Sequence, residues 1–266
     1  MNAKDVPRPT YDAQGICVAY YPSSVPENSR IPVILVHGGC QAAWCWEVYA
    51  PVLAQAGFDV HALNWQGRGG SVALDDARFA SMSIVDVVDD IRCVARAFDD
   101  APVLVGHSMG GLAAQLYAAK YPVRALVALT PVVPANAGAE PIDLPIDDMD
   151  APWGPPPLEV SRGLFFQGLT EDQCNHYHSL LVPESPRRVR EATRWSLPID
   201  VDRMTAPTLV VSGALDMLTP PATGVALADL YRCEHWIEPD HGHNVLLGDG
   251  AVDIARRVVD WLRSRC

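Results

Sequence analysis

Val103-Leu104-Val105-Gly106-His107-Ser108-Met109-Gly110-Gly111-Leu112 is the stretch on which the reading of this chain turns. Its first residues are a short apolar run of the kind that forms a strand buried on both faces. A glycine stands two before Ser108 and another two after it. An Ala/Leu-rich helical pattern follows at once. Strand, tight turn and helix around G-x-S-x-G make a turn that projects a serine hydroxyl from the top of a sheet. A side chain at 106 or 110 would collide where the helix folds back over the strand, so glycine suits both places. The helix starts at the serine, and its free N–H groups and positive dipole end face any anion that forms there.

Working outward, the segments 15–21, 32–36, 58–63, 125–129, 208–211 and 234–237 read as further strands, the last three as buried ones. Helical patterns stand between most of them, at 44–56, from Ser81 or Ser83 to 98, after Ser108, at 221–230 and at 250–264. The helix before the serine strand carries Ile84, Val87, Val88, Ile91, Ala95 and Phe98 on one face. Alternating strands and helices predict an α/β fold, a mostly parallel central sheet flanked by helices. Ligands of such sheets bind beyond the carboxyl ends of the strands.

One segment interrupts the alternation. Residues 131–157 hold eight prolines, no Lys or Arg, and an acidic group of Asp143, Asp147, Asp148 and Asp150. Short helical pieces follow, one opened by the capping box Thr170-Glu171-Asp172-Gln173 and one by Ser185-Pro186. Phe165, Phe166, Tyr177, Leu180 and Trp195 supply too much apolar material for a disordered loop. The expectation is a core of residues 1–134 and 201–266 with a helical cap, 135–200, inserted over the sheet.

The serine needs a base, and the base an orienting acid. Asp216 stands just past the strand at 208–211, and His243 just past the strand at 234–237. The order Ser108, Asp216, His243 is the one expected on this fold. Asp240 and Glu238 are rivals for the acid, and His241 and His107 for the base. Two backbone N–H groups should face the developing oxyanion: Met109, after the serine, and Gly39, in the loop 37–40. Cys40, Trp44, Phe165, Phe166 and Tyr177 are candidates for the substrate pocket. Cys174-x-His176-x-His178 reads as pocket lining or surface, since 176 leaves the helix face that 174 and 178 share. Arg187, Arg188, Arg190 and Arg194 read as an exposed helix face.

The 266 residues carry a formal charge of −12. Such a surface repels nucleic acid and anionic membranes, so a small-molecule substrate is expected. Seven cysteines without metal-type spacing, and an N-terminus unlike a signal peptide, point to reduced thiols in the cytoplasm. No cofactor or metal is expected, and a homodimer is left open.

Over nearly its full length the chain resembles an α/β-hydrolase-fold enzyme. Val36-His37-Gly38-Gly39-Cys40-Gln41-Ala42-Ala43-Trp44-Cys45-Trp46 is similar to the branch that holds plant methylesterases and hydroxynitrile lyases. The resemblance implies Ser108, Asp216 and His243 as the triad and the amides of Gly39 and Met109 as the oxyanion hole. It implies a serine hydrolase of esters, thioesters or lactones. A C–C bond hydrolase or cyclase using the same triad, or a non-hydrolytic receptor on the same fold, are the alternatives. The lyases carry a threonine where Gly38 stands and a pocket lysine, and no lysine occurs after position 120. Ser108 stands where dehalogenases and epoxide hydrolases need an aspartate. Asn64, where an aspartate is usual, reads as structural.

Overall fold

The computed structural model describes residues 9–26 and 30–266. Residues 1–8, on which the reading against a signal peptide rests, and part of the loop at 22–30 lie outside the described residues. Eight strands form one sheet: β1 (Thr10–Ala13), β2 (Ile16–Tyr21), β3 (Ile31–Val36), β4 (Phe58–Leu63), β5 (Val103–His107), β6 (Ala125–Leu129), β7 (Thr208–Gly213) and β8 (Glu234–Glu238). Their order is β1-β2-β4-β3-β5-β6-β7-β8. The pairs β1–β2 and β2–β4 are antiparallel, and the rest are parallel.

β3 and β6 are apolar throughout, and β5 up to His107, because helices cover both faces; β8, read as buried, is instead a half-exposed edge strand. Val33 and Leu35 of β3 pack on one side with Trp46, Tyr49, Leu53, Val258 and Leu262. Those residues belong to a turn at Ala43–Trp46, to helix α1 (Tyr49–Gln55) and to the C-terminal helix Ala251–Arg265. Ile34 and Val36 point to the other side, where they meet Ile84, Val88, Ile91, Leu112, Leu116 and Leu227. That layer is built by the 3-10 turn Ile84–Asp86, by α3 (Val87–Ala95) and α4 (Ser108–Ala118), and by the helix Pro221–Tyr231; the short α2 (Asp76–Ala80) precedes them in the chain.

The structure differs from the sequence reading at three elements. The helix predicted over 44–56 is a 3-10 turn followed by α1, which starts so that Pro51 falls in its first turn, where a missing N–H costs nothing. The strand β1 was hidden because its hairpin turns on Gln14-Gly15, with Gln14 at φ +58, rather than on Asn-Gly or Asp-Gly. The helix α2 was also missed. Ser83, of the two candidate caps, makes the capping box, with Asp86.

Between β6 and β7 the chain leaves the sheet. It forms α5 (Leu158–Leu164), α6 (Glu171–His178) and α7 (Pro186–Thr193), and returns through β7 to α8 (Pro221–Tyr231), β8 and α9 (Ala251–Arg265). Thr170 and Ser185 cap α6 and α7. No helix among the described residues is long and apolar enough to cross a membrane.

Candidate active site

The strand β5 runs into α4 without a spacer, and the turn falls on Ser108. Its φ is +53, a left-handed conformation that a non-glycine residue adopts at a cost. The chain can close this tightly because of two glycines. A Cβ on Gly106 would lie 2.5 Å from the carbonyl oxygen of Gly110, and one on Gly110 would lie 2.1 Å from that of His37. The result puts Ser108 at the helix N-terminus, past the end of β5.

The loops after β7 and β8 bring the other two residues to it. Ser108 Oγ lies 2.9 Å from His243 Nε2, and His243 Nδ1 lies 2.9 Å from Asp216 Oδ2. The carboxylate is fixed from its far side. Asp216 Oδ1 accepts the N–H groups of Leu218 and Thr219 at 2.8 and 2.9 Å, and Oδ2 accepts the Thr219 hydroxyl at 2.6 Å. Burial alone would raise this carboxyl, but His243 and Thr219 outweigh it and hold it below the usual carboxylate range. The pair fixes the His243 tautomer, leaving Nε2 to accept the serine proton. Of the rival acids, Glu238 is paired with Arg257 at 2.9 Å. His107, a rival base, turns away from Ser108 Oγ: its ring nitrogens lie 2.9 Å from Gln41 Oε1 and 3.0 Å from the carbonyl of His243.

Gly39 and Met109 both border the cavity above Ser108. The Met109 amide is in the first turn of α4, where no intrahelical acceptor exists. In the turn 38–40, the Gly38 N–H is given to Gln41 Oε1 at 3.1 Å and the Cys40 N–H to Glu184 Oε2 at 3.2 Å. The Gly39 N–H has no acceptor among the described residues. Two amides thus stand open beside one hydroxyl, an arrangement that can stabilise an oxyanion. His37 fastens the turn: its Nε2 accepts the Trp65 N–H at 3.3 Å and its Nδ1 donates to the Gly38 carbonyl at 2.8 Å. Asn64 Oδ1 holds the next segment through the Ala43 N–H at 2.8 Å.

The cavity is lined by Ser108, His243 and neighbours from the core, and by Ile142, Leu144, Trp153, Phe165, Leu181, Val189 and Trp195 from the segment between β6 and β7. No Asp, Glu, Lys or Arg lines it. The Trp153 and Trp195 indoles donate to the carbonyls of Pro145 and Glu140, so they offer the cavity carbon. Burial, aided by the Glu184 carboxylate, keeps the Cys40 thiol protonated.

Cys40 and Phe165 therefore line the cavity, whereas Trp44, Phe166 and Tyr177 do not. Those three fasten the inserted segment to the core: Trp44 stacks on Tyr177 at 5.9 Å, Tyr177 donates to Glu47 at 2.9 Å, and Phe166 is buried with Cys174 in the same cluster as Trp46. Large aromatics at a junction serve packing as readily as binding. Ile142 and Leu144 escaped notice because the proline-rich segment has no periodicity to expose them. The arginine reading also needs correction. Arg187 and Arg194 are exposed, but Arg188 is fully buried against Glu184. Cys174 is buried, and among the described residues no group of three His, Cys, Asp or Glu side chains could hold a metal.

Two of the buried histidines make stability pH-dependent. Burial, then the Arg68 charge, push His37 well below its ordinary value of 6.5. Burial, then His243, push His107 down to about 3. Both stay neutral in the fold while the unfolded chain takes up two protons below pH 6.5. The unfolded state then binds more protons, so stability is full above that pH and falls as pH drops. Urea melts should show roughly 2–3 kcal/mol lost between pH 7 and 5.5, with His107→Gln removing about half of that slope. A flat profile over this window would contradict the assignment.

The sequence model of the alpha/beta hydrolase family matches residues 33–257. A monoacylglycerol lipase of Mycolicibacterium smegmatis is 29% identical over 240 residues, 83% of this chain and 82% of the lipase. Methylesterase 9 of Arabidopsis thaliana is 34% identical over 99 residues, covering 36% of this chain and 37% of that protein. Among solved structures, a methylesterase from Arabidopsis superposes with a TM-score of 0.71 at 18% identity, covering 88% of this chain and 99% of that one.

Proposed function

The chain belongs to the alpha/beta hydrolase family, and from that premise we propose that it is a serine carboxylic ester hydrolase working through an acyl-enzyme on Ser108. The hydrogen-bonded line Ser108–His243–Asp216 at the floor of an uncharged cavity carries this reading. Ser108 Oγ attacks the substrate carbonyl as His243 Nε2 takes its proton. The tetrahedral oxyanion lies on the amides of Gly39 and Met109. His243 returns the proton to the leaving alcohol, thiol or ring oxygen. Water, deprotonated by His243, then attacks the acyl-enzyme and releases the acid. Each step is carried by the chain's own residues. The segment 135–200 is the cap, and its apolar wall selects a small to medium, mostly uncharged ester, thioester or lactone. The acidic surface suits a cytoplasmic enzyme acting on small molecules and not on nucleic acids.

The test is a series of p-nitrophenyl esters, acetate to hexanoate, set against the glutarate half-ester. The neutral esters should exceed the charged one in kcat/KM by about 100-fold, because the cavity offers a carboxylate no partner. Equal turnover of the half-ester would overturn the substrate class. Absence of turnover on every ester, thioester and lactone would overturn the hydrolase reading.

A further inference from the structure

A knot of buried charge ties the inserted segment to the turn that carries Gly39. Glu184 is fully buried and lies in the short stretch between α6 and α7. Its Oε1 accepts from Arg68 at 2.8 Å, from Arg188 at 3.3 Å and from the Ser185 N–H at 2.8 Å. Burial alone would raise this carboxyl, but the two guanidiniums and two amides outweigh it and keep it ionised. Arg188 also donates to the Ser83 carbonyl at 3.1 Å, and both guanidiniums lie over the Trp65 ring at about 5 Å. These contacts account for one carboxylate oxygen. The other, Oε2, points to the active site and accepts the Cys40 N–H.

Cys40 needs that contact. Its φ is +56, a left-handed conformation that a side chain disfavours. Both of its backbone groups are held by the inserted segment: the N–H by Glu184 Oε2, and the carbonyl by the Val182 N–H at 3.0 Å. Arg68 holds the next carbonyl, that of Gln41, at 3.0 Å. Gly39 sits between the clamped Gly38 and the clamped Cys40. The space where its Cβ would be is taken by the Met109 side chain at 2.8 Å, with Glu184 Oε2 at 3.5 Å. The peptide planes on either side of the Gly39 amide are therefore fixed by partners, one of them a carboxylate 144 residues away.

The geometry points to Glu184 as a positioning residue for catalysis: by holding Cys40 in its left-handed conformation it aims the Gly39 N–H at the oxyanion, and so makes the oxyanion hole depend on the docked cap. The inference rests on the hydrolase reading above. A carboxylate that only neutralised two buried arginines would need Oε1 alone. Oε2 instead spends its capacity on the strained residue beside the oxyanion amide. The same stretch bridges Trp153, a wall of the cavity, through two backbone hydrogen bonds of 2.8 Å.

Two variants separate positioning from folding. Glu184→Asp keeps the charge that Arg68 and Arg188 require but draws the carboxylate back from Cys40. Glu184→Gln keeps the reach but has one acceptor oxygen, which Arg68, Arg188 and the Ser185 N–H claim, so its amide NH2 faces the Cys40 N–H. Each is assayed on p-nitrophenyl butyrate for kcat and KM, with phenylboronic acid as a tetrahedral-adduct probe and thermal unfolding as the measure of the fold. Glu184→Asp should lower kcat by about 30-fold or more, with KM within about twofold and boronate affinity falling in step with kcat. Its Tm should stay closer to wild type than that of Glu184→Gln, yet the two should lose kcat to a similar extent, because neither places an acceptor on the Cys40 N–H. The proposal is overturned if Glu184→Asp keeps kcat and boronate affinity within about twofold, if activity merely follows Tm across the two variants, or if neither variant folds, since positioning must be separable from folding. Turnover by wild type that survives Ser108→Ala would instead sink the hydrolase reading, whatever the Glu184 variants do.

Discussion

Ser108→Ala is expected to lower kcat on a p-nitrophenyl ester by on the order of 10⁵-fold, with the fold and its thermal transition unchanged. The size follows from the geometry. The serine hydroxyl is the nucleophile, and its 2.9 Å contact with His243 Nε2 supplies the base. Without the oxygen, catalysis is left to the two open amides and to binding, which do not make a bond. His243→Ala should cost nearly as much, and the double variant little more, because the residues act as a unit. The fold should survive because Ser108 is strained rather than stabilising at φ +53. Alanine in its place relieves nothing but loses only one hydrogen bond.

Gly110→Ala is expected to destabilise the protein by roughly 4 kcal/mol or more, so that little soluble enzyme is recovered. An added Cβ would stand 2.1 Å from the carbonyl oxygen of His37 and 2.4 Å from that of Val36. Both are backbone atoms at the end of β3, and no rotamer can move them. The helix α4 would have to lift off the sheet, taking Ser108 out of line with His243. Gly163→Ala in α5 is the control, for nothing lies within 4 Å of its added Cβ. That change should be neutral or slightly stabilising, as alanine favours a helix interior over glycine. Urea unfolding of both variants measures the contrast, and similar midpoints would refute the packing argument.

What the sequence disclosed, and what it hid, has a physical pattern. The sheet was legible because β3, β5, β6 and β7 are buried along almost their whole length and carry near-continuous apolar runs. The positions of Ser108 and Asp216 past strand ends were legible for the same reason, since each follows such a run, whereas His243 follows the polar, half-exposed edge strand β8 and was marked by chain order and its glycine-containing loop. The tight turn announced itself because only glycine fits at 106 and 110. The cavity wall was not legible. Trp44, Phe166 and Tyr177 looked like pocket aromatics and are junction packing, whereas Ile142 and Leu144 sit in a proline-rich stretch without periodicity. Nor was the Glu184 knot, because Arg188 shares a helix with exposed arginines and is set apart from them by Glu184, the Ser83 carbonyl and the ring of Trp65. Local pattern marks what the backbone requires. Contacts between residues more than a hundred positions apart, such as Glu184 with Cys40, leave no local mark.

The central claim is that Ser108 is an activated nucleophile. Its most direct test is a fluorophosphonate probe applied to the folded protein, with mass mapping of the modified peptide, beside Ser108→Ala and His243→Ala. The account predicts one adduct, on Ser108, absent from the first variant and reduced to background in the second. A folded wild type that takes no label, or takes it at another residue, would contradict it.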